Sequence, residues 1–448
     1  MAKQKIEFNC SLCGYRPPKW VGCCPSCNEW GSVAEMQPSM VEKNAIFAKQ
    51  TPKLVALTEV SLHDQDRMLS GNAEWDRVLG GGIMPGSFLI LTGDPGIGKS
   101  TLLLQVAHAL ASRYRVIYIS SEESLEQVRM RADRLGCLND TLLCSDQAQL
   151  ESIIALNEEH KPNIMIIDSI QNCYSSDSQV IPGSIGQLRE SGFRLMRLAK
   201  EQNCAVILTG HITKEGTIAG PKMLEHMVDA VFYLQGEDRW QTRILRAVKN
   251  RFGAIGELGF FEMHENGMQE VPNINQQLLA EASNCPGSAL ISYLEGSRPL
   301  LIELQALLVP TKFGMPQRVI SGVDPKQVAL MAAILEKYLH IKLNTQDIFF
   351  KVSGGFKIKE SGVDLGIALA LLSSYFQKPL PEKSIILGEI NLTGQIKPIN
   401  QIAMHLHEAH NFGINHLLLA QNQKIEKHFK TISRFQSVYQ LVELFDET

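Results

Sequence analysis

The run Gly93-Asp94-Pro95-Gly96-Ile97-Gly98-Lys99-Ser100-Thr101 has the composition of a phosphate cradle. Its glycines free backbone N–H groups to turn toward an anion, Lys99 is spaced to reach the outer phosphates of a nucleoside triphosphate, and Ser100 offers a hydroxyl to Mg²⁺. A second apolar run, "NIMIIDS", ends in Asp168. An acid at the C-terminal end of a buried parallel strand is placed to hold the same Mg²⁺ through water. A third run, "RVIYISSEES", ends in Glu122 and Glu123, either of which has the chemistry to orient an attacking water. Read as a set, these residues describe ATP hydrolysis with Mg²⁺.

A different chemistry is written into "CSLCGYRPPKWVGCCPSC". Cys10 and Cys13 form one CxxC and Cys24 and Cys27 another, the two-knuckle spacing that brings four thiolates around one tetrahedral ion. Zn²⁺ is the expected ion, since a reducing compartment disfavours disulfides and so short a segment has little core of its own. Cys23 fits only by changing the second knuckle to CxxxC, and reads as a spare thiol. The other five of the ten cysteines are scattered and read as small buried hydrophobes.

The third feature is "KNRFG", Lys249 to Gly253. In an extended chain a period of two puts Lys249 and Arg251 on one face, where they repel. Some anion, in this chain or another, must make the arrangement favourable. Arg239, Arg243 and Arg246 just upstream keep open the reading of a solvated basic strand.

These residues need a scaffold, and the surrounding pattern supplies one. Phe88 to Leu91 reads as a buried strand running into the glycine-rich loop, and Leu103, Val106, Ala107 and Leu110 recur beyond it at helical spacing. Strand, loop and helix therefore occur in the order a phosphate loop requires. The chain has 448 residues, enough for two or three domains, of which 44% are hydrophobic and 20% charged, so it reads as soluble and globular. Lys plus Arg total 43 against 47 Asp plus Glu, so a DNA-binding surface would have to be local. No run is long enough for a membrane span and "MAKQKIEFNC" lacks a secretory apolar segment, so the expected compartment is the cytoplasm, without membrane. The expected division is a zinc-binding module at 1–35, a linker at 36–57 marked by Pro38 and Pro52, an ATPase domain at 58–275 and a further domain at 280–448.

The run "GHITKEGTIAGPKMLEHMVDAVFYL", followed by KNRFG and "GFFEMHENGM" and preceded by the zinc knuckles, resembles the bacterial RadA (Sms) family of DNA-repair proteins over nearly the whole chain. The resemblance implies an α/β architecture: a small zinc ribbon-like module, a RecA-type P-loop ATPase core and an α+β Lon-protease-like C-terminal domain. It places Glu122 at the catalytic-glutamate position, ahead of Glu123, and His211 at the γ-phosphate-sensing position. It also implies that Lys249 and Arg251 reach the nucleotide of a neighbouring protomer in a homo-oligomer, expected to be a hexamer, their repulsion relieved only when triphosphate arrives. The loops after Asp168 and Thr209 would then line a path for single-stranded DNA, with Lys214 and Lys222 as phosphate contacts and little sequence preference. Branched DNA and the RecA recombinase are the partners implied.

"SGVDLGIALALLSSYF" and "ILGEINLTGQIKPINQI" resemble the proteolytic domain of Lon, which uses a Ser nucleophile and a Lys base. Aligned on Gly366-Ile367-Ala368 and Pro398-Ile399, those positions hold Asp364 and Ala403. Neither can perform acyl transfer, so the domain is expected to be a scaffold with no peptidase activity, in which Lys312 and Arg318 are candidate DNA contacts and "GIALALLSS" is largely core. An ATP-dependent protease is disfavoured on that ground. A non-motor ATP switch of the circadian-clock type shares the core but would not carry the zinc knuckles.

Binding of one structural Zn²⁺ can contribute roughly 10–16 kcal/mol to folding a small module. Cys24→Ser is therefore expected to lose the metal and unfold the N-terminal region, while Cys23→Ser keeps both. Metal analysis of the purified variants checks this, and a full zinc complement in Cys24→Ser would overturn the ligand set.

Overall fold

The structure is a computed structural model that describes residues 7–15, 17–36, 56, 58, 66–176, 184–211, 223–236, 242–312, 314–425 and 429–446. It divides into two compact units, Met1–Val271 and Pro272–Thr448. Strands β1 (Glu7–Cys10) and β2 (Val33–Met36) pair antiparallel and frame the cysteine knuckles. Most of the expected linker lies outside the described residues.

The core of the first unit begins with α1 (Ala73–Val78), β3 (Phe88–Gly93), α2 (Lys99–Ala111), β4 (Val116–Ser120), α3 (Leu125–Arg134), β5 (Leu142–Ser145), α4 (Leu150–His160) and β6 (Ile164–Asp168). It continues through α5 (Ile185–Gln202), β7 (Ala205–His211), α6 (Met223–Met227), β8 (Ala230–Gly236), β9 (Thr242–Asn250), β10 (Leu258–His264) and β11 (Gly267–Glu270). One nine-stranded sheet runs in the order β11-β10-β9-β8-β3-β7-β6-β4-β5. From β8 to β5 every pairing is parallel, and β9, β10 and β11 extend it antiparallel.

Why the parallel strands read as unbroken apolar runs is plain from their packing. Alternate residues feed opposite faces, and both faces are covered. Leu89, Leu91, Ile164 and Ile166 join a core with Trp75, Leu103 and Phe261, while Phe88, Ile90, Met165 and Ile167 join another with Ile153, Leu188 and Leu195. A strand buried on both sides tolerates polar groups only at its ends. All the candidate catalytic residues lie at such ends.

The second unit opens with α7 (Ile274–Glu281), β12 (Ser288–Glu295), β13 (Arg298–Pro310), β14 (Arg318–Ser321), α8 (Pro325–Leu339), β15 (Gln346–Val352) and α9 (Asp364–Phe376). Then follow β16 (Ser384–Leu387), the short pair β17 (Glu389–Ile390) and β18 (Ile396–Lys397), α10 (Ile402–Asn411), β19 (His416–Ala420) and β20 (Thr431–Phe435). Its seven-stranded sheet has the order β14-β15-β13-β12-β16-β19-β20. The expected boundary of 275/280 cuts through α7, whereas the division by packing falls before it, at Val271/Pro272. Asn275 on that helix donates to Pro299 O at 2.9 Å and accepts from Leu301 N at 2.9 Å, so α7 is stitched to β13.

Helix α9 is buried from Asp364 to Ser374, which makes "GIALALLSS" core packing. Even its two serines are structural: Ser373 accepts from Gly287 N at 2.9 Å and Ser374 from Leu308 N at 3.0 Å. Asp364 is buried at the helix start and accepts from Gln327 Nε2 at 2.7 Å and Ile390 N at 3.2 Å. Ala403 is an exposed position of α10. Arg318 is occupied by backbone carbonyls, including Leu343 O at 3.1 Å, and Lys312 is exposed.

Burial pushes the Asp364 carboxyl up to about 6, against the opposing hydrogen bonds from Gln327 and Ile390. Between the ordinary Asp value near 3.9 and about 6, the folded state holds a proton that the unfolded state has lost, so stability falls as pH rises through this window. The second unit of the wild type is therefore expected to lose on the order of 2 kcal/mol of stability between pH 4 and pH 7, a pH dependence that Asp364→Asn removes. Urea unfolding followed by far-UV circular dichroism at the two pH values checks this, and a pH-independent difference between wild type and variant would contradict it.

Candidate nucleotide site and metal centre

The parallel order brings four strand ends side by side. Gly93 of β3 pairs with His211 of β7, Ile167 of β6 with Leu208 of β7, and Ser120 of β4 with Asp168 of β6. The phosphate loop, the strand-end acid and the two glutamates after β4 thus share the C-terminal edge of the sheet, where ligands bind in open α/β folds. His211 lies in this row through its backbone, and its side chain is outside the described residues. Lys214, Lys222 and Arg239 are outside them altogether.

Gly98 is the N-cap of α2 at φ 109°, with no side-chain cap among the described residues, so the helix presents its first N–H groups outward. A Cβ on Gly98 would lie 2.3 Å from Met268 Cε and 2.6 Å from Met263 Cε. These methionines belong to "GFFEMHENGM", so that motif packs behind the phosphate loop. Gln105 fixes the contact by accepting from Met268 N at 2.9 Å and donating to Met268 O at 3.2 Å. Lys99 Nζ donates to Gly93 O at 2.9 Å and Asp94 O at 3.0 Å. Burial pushes its pKa down, while Asp168, Glu122 and Asp94 pull it back up.

Asp168 is buried and hydrogen-bonded on both oxygens: Thr209 Oγ1 donates to Oδ1 at 2.6 Å and the Tyr118 hydroxyl to Oδ2 at 2.7 Å. Burial and the adjacent Asp168 raise the Tyr118 pKa well above its ordinary value, so Tyr118 remains a donor. The two glutamates separate by partner. Glu123 is ion-paired with Arg131, whereas Glu122 accepts from Ser169 Oγ, beside Asp168. Tyr118 and Thr209 escaped sequence reading, although a tyrosine inside an apolar strand requires a hydrogen-bond partner and was a usable signal.

The basic pair lies elsewhere. Ala230 of β8 pairs with Asn250 of β9 on one side and with Leu89 of β3 on the other. Lys249 and Arg251 therefore sit at the N-terminal end of β3, with about 16 Å of strand between them and the phosphate loop at its other end. An anion in this chain, Asp229, pairs with Arg251, so the repulsion is eased in part without a triphosphate, where the expectation was that only an arriving triphosphate relieves it. Lys249 Nζ donates to Glu225 O at 2.5 Å, within α6, and to Val228 O at 2.7 Å, just after it, and Arg251 Nη1 donates to Asp229 Oδ1 at 3.2 Å. Burial, then the Arg251 charge, push the Lys249 pKa down. The rest of KNRFG fastens the pair. Asn250 Nδ2 donates to Val78 O at 3.3 Å, Arg67 Nη2 donates to Phe252 O at 2.7 Å, and a Cβ on Gly253 would fall 2.8 Å from Gly80 Cα.

In the ribbon, the Sγ atoms of Cys10, Cys13, Cys24 and Cys27 all lie within 4.8 Å of one another. Cys23 Sγ instead donates to Cys24 O at 4.0 Å. Thiols packed this closely cannot all ionise unaided. Burial raises Cys10, but Ser32 and the Cys13 and Leu12 backbone outweigh it and bring the thiol down to about 6. Cys27 goes up to about 12: the Glu29 backbone lowers it, but burial and the other three thiols prevail. A dication at the centre reverses that repulsion, and four convergent thiolates fit Zn²⁺.

A phosphate loop on β3, a strand-end acid on β6 and this strand order define a RecA-type P-loop ATPase, here with a zinc ribbon and a Lon-like unit on the same chain. Residues 8–35 match a family described as a rubredoxin metal binding domain, residues 59–217 an AAA domain, and residues 314–423 subunit ChlI of Mg-chelatase. The chain is 43% identical over 429 residues to the DNA repair protein RadA of Halalkalibacterium halodurans, covering 94% of this chain and 93% of that one, and 42% identical over 426 residues to that of Bacillus subtilis, with the same coverage. It belongs to the RadA family of DNA repair proteins. Among solved structures, the RadB recombinase aligns with 46% of this chain and 99% of its own at 23% identity and a TM-score of 0.38. No described helix is long and apolar enough to cross a membrane.

Thr209→Val keeps the shape of the strand end but strips Asp168 Oδ1 of its donor, a loss worth roughly 1–3 kcal/mol at a buried acceptor. Hydrolysis is expected to fall on the order of tenfold, with half-saturation moved to higher Mg²⁺. A Mg²⁺ titration of the ATPase rate checks this, and an unchanged titration would show that Asp168 is oriented without Thr209.

Proposed function

We propose that the chain is a DNA-stimulated ATPase of recombinational repair that assembles as a ring, a homo-hexamer, and moves along single-stranded DNA to extend or branch-migrate recombination intermediates. The observation that carries the reading is the position of the basic pair. Lys249 and Arg251 stand about 16 Å along β3 from their own phosphate loop, too far to touch their own γ-phosphate, and the Arg251 side chain is 60% exposed. A cation fixed by its own backbone yet turned to solvent is useful to a neighbour's nucleotide. In this reading each complete site is built from two protomers.

Bound MgATP supplies the phosphoanhydride to be broken and the metal charge that steadies its oxygens. With MgATP bound, Lys99 would exchange the Gly93 and Asp94 carbonyls for phosphate oxygens, Ser100 would hold the metal directly and Asp168 through water, and Glu122 would orient the attacking water. His211 senses the outer phosphate, and the neighbour's Lys249 and Arg251 neutralise charge developing in the transition state. A finger of this kind is worth roughly 10³ to 10⁵ in rate. The relatives' description as DNA repair proteins supports DNA as the polymer served; in this reading Lys214 and Lys222 contact its phosphates, and the RecA recombinase and branched DNA are its partners in the cytoplasm. The Lon-like unit, with Asp364 and Ala403 at the reacting positions, serves as scaffold.

Mixing two inactive variants tests the two-protomer site. Lys99→Ala keeps the basic pair and Lys249→Ala keeps the phosphate loop, so co-assembled mixtures contain some complete interfaces. ATPase activity stimulated by single-stranded DNA is expected to return partially, with a maximum at intermediate mixing ratios. Where co-assembly is verified, a rate flat across all ratios would eliminate the trans role, and absent strand displacement by the wild type would eliminate the motor.

A further inference from the structure

Asp229 carries no role in the chemistry described so far, yet its carboxylate accepts from three partners at the base of the sheet. It is buried, at the junction of α6 and β8. Its backbone N donates to Phe88 O at 2.7 Å and its Oδ2 accepts from Phe88 N at 3.0 Å, so it clasps both polar groups of the first residue of β3. Oδ2 also accepts from Lys200 Nζ at 2.5 Å. On the other side its backbone O accepts from Arg251 N at 3.1 Å and its Oδ1 from Arg251 Nη1 at 3.2 Å. Backbone and side chain of Arg251 are thus both held by one residue, which is itself locked to the strand that carries the phosphate loop.

Arg251 is suited to being held in this way. A guanidinium has five N–H donors in a rigid plane, so one edge can bind a carboxylate while the other edge keeps a fixed outward direction. A lysine at the same place has a single rotating ammonium and could not do both. Lys200, by contrast, is a half-exposed helix residue that shares the carboxylate without touching KNRFG in any described contact.

The geometry points to Asp229 as a positioning residue: through Arg251 it sets the direction in which the finger is offered to the neighbouring protomer, and through Phe88 it registers that finger on the strand bearing its own phosphate loop. This rests on the two-protomer reading of the site. It adds a physical link by which a shift of β3 on nucleotide binding in one protomer is felt by the finger that serves the next. Arg251 acts on transition-state charge, so misdirecting it should lower kcat and leave KM for ATP in place.

The test is a cycle in the full-length protein with single-stranded DNA present. Asp229→Asn keeps an amide oxygen for Phe88 N but removes the charge that holds Arg251. It is expected to lower kcat about tenfold or more at unchanged KM, while Lys200→Met stays within about twofold of wild type. In the Arg251→Ala background, Asp229→Asn should cost nothing further, because there is no finger left to aim. The same factor lost in both backgrounds, or an equal loss in Lys200→Met, would show a merely structural carboxylate and overturn the proposal, as would a wild-type kcat in Asp229→Asn. An Arg251→Ala protein that hydrolyses ATP at the wild-type rate would instead sink the two-protomer reading, and this inference with it. Should Asp229→Asn fail to fold, Arg251→Lys carries the test. It keeps the charge and loses the two-edged grip, so kcat is expected to fall about tenfold at unchanged KM, and a wild-type kcat would overturn the proposal.

Discussion

A buried parallel strand must find partners for the polar groups at its ends, and β3 meets that requirement differently at each end. At its N-terminal end, the backbone and carboxylate of Asp229 close off Phe88 completely. At its C-terminal end the chain turns through glycines into a helix start with no side-chain cap, and the unspent N–H groups become an anion site. The rest of the ATPase unit follows from this asymmetry. The strand-end groups Glu122, Asp168 and His211 collect at the open end, after β4 and on β6 and β7, and Lys249 and Arg251 are tied down at the closed one.

The division explains how like charges can sit together in KNRFG. Lys249 is received by the Glu225 and Val228 carbonyls and Arg251 by Asp229, so their repulsion is eased but not removed before any nucleotide arrives, and the Arg251 charge still helps push the Lys249 pKa down. The remaining three residues do mechanical work of different kinds: Asn250 bridges to Val78, Phe252 packs on the core, and Gly253 allows its backbone to approach Gly80. A five-residue motif that reads as one functional unit is therefore two cations and their mounting.

The second unit shows the reverse relation between fold and chemistry. Asp364, which the sequence aligns with the nucleophile of a Lon-type site, has both oxygens taken by Gln327 and Ile390, and burial pushes its carboxyl up to about 6. The helix behind it is sealed into the core along most of its length. Held in this way, Asp364 braces the start of α9 against Gln327 of α8 and Ile390 of β17.

Local chemistry was legible in the sequence wherever a function needs a fixed spacing along the chain. The glycine-rich loop with Lys99 and Ser100 and each of the two CxxC knuckles are of this kind, since backbone geometry alone dictates which near neighbours can share a phosphate or an ion. Glu122 and Glu123 could not be separated by residue type, and the ion pair of Glu123 with Arg131 is what tells them apart in space. Tyr118, Thr209 and Asp229 stayed silent because each acts through a partner far along the chain, 50, 41 and 22 residues away in the hydrogen bonds they make to Asp168, Asp168 and Arg251. Which end of β3 receives the basic pair was likewise undecided until the strand order was known. Spacing can specify what a residue is able to bind, but only the folded sheet decides what stands within reach, because hydrogen bonds and charges act through space over a few ångströms and take no account of distance along the chain.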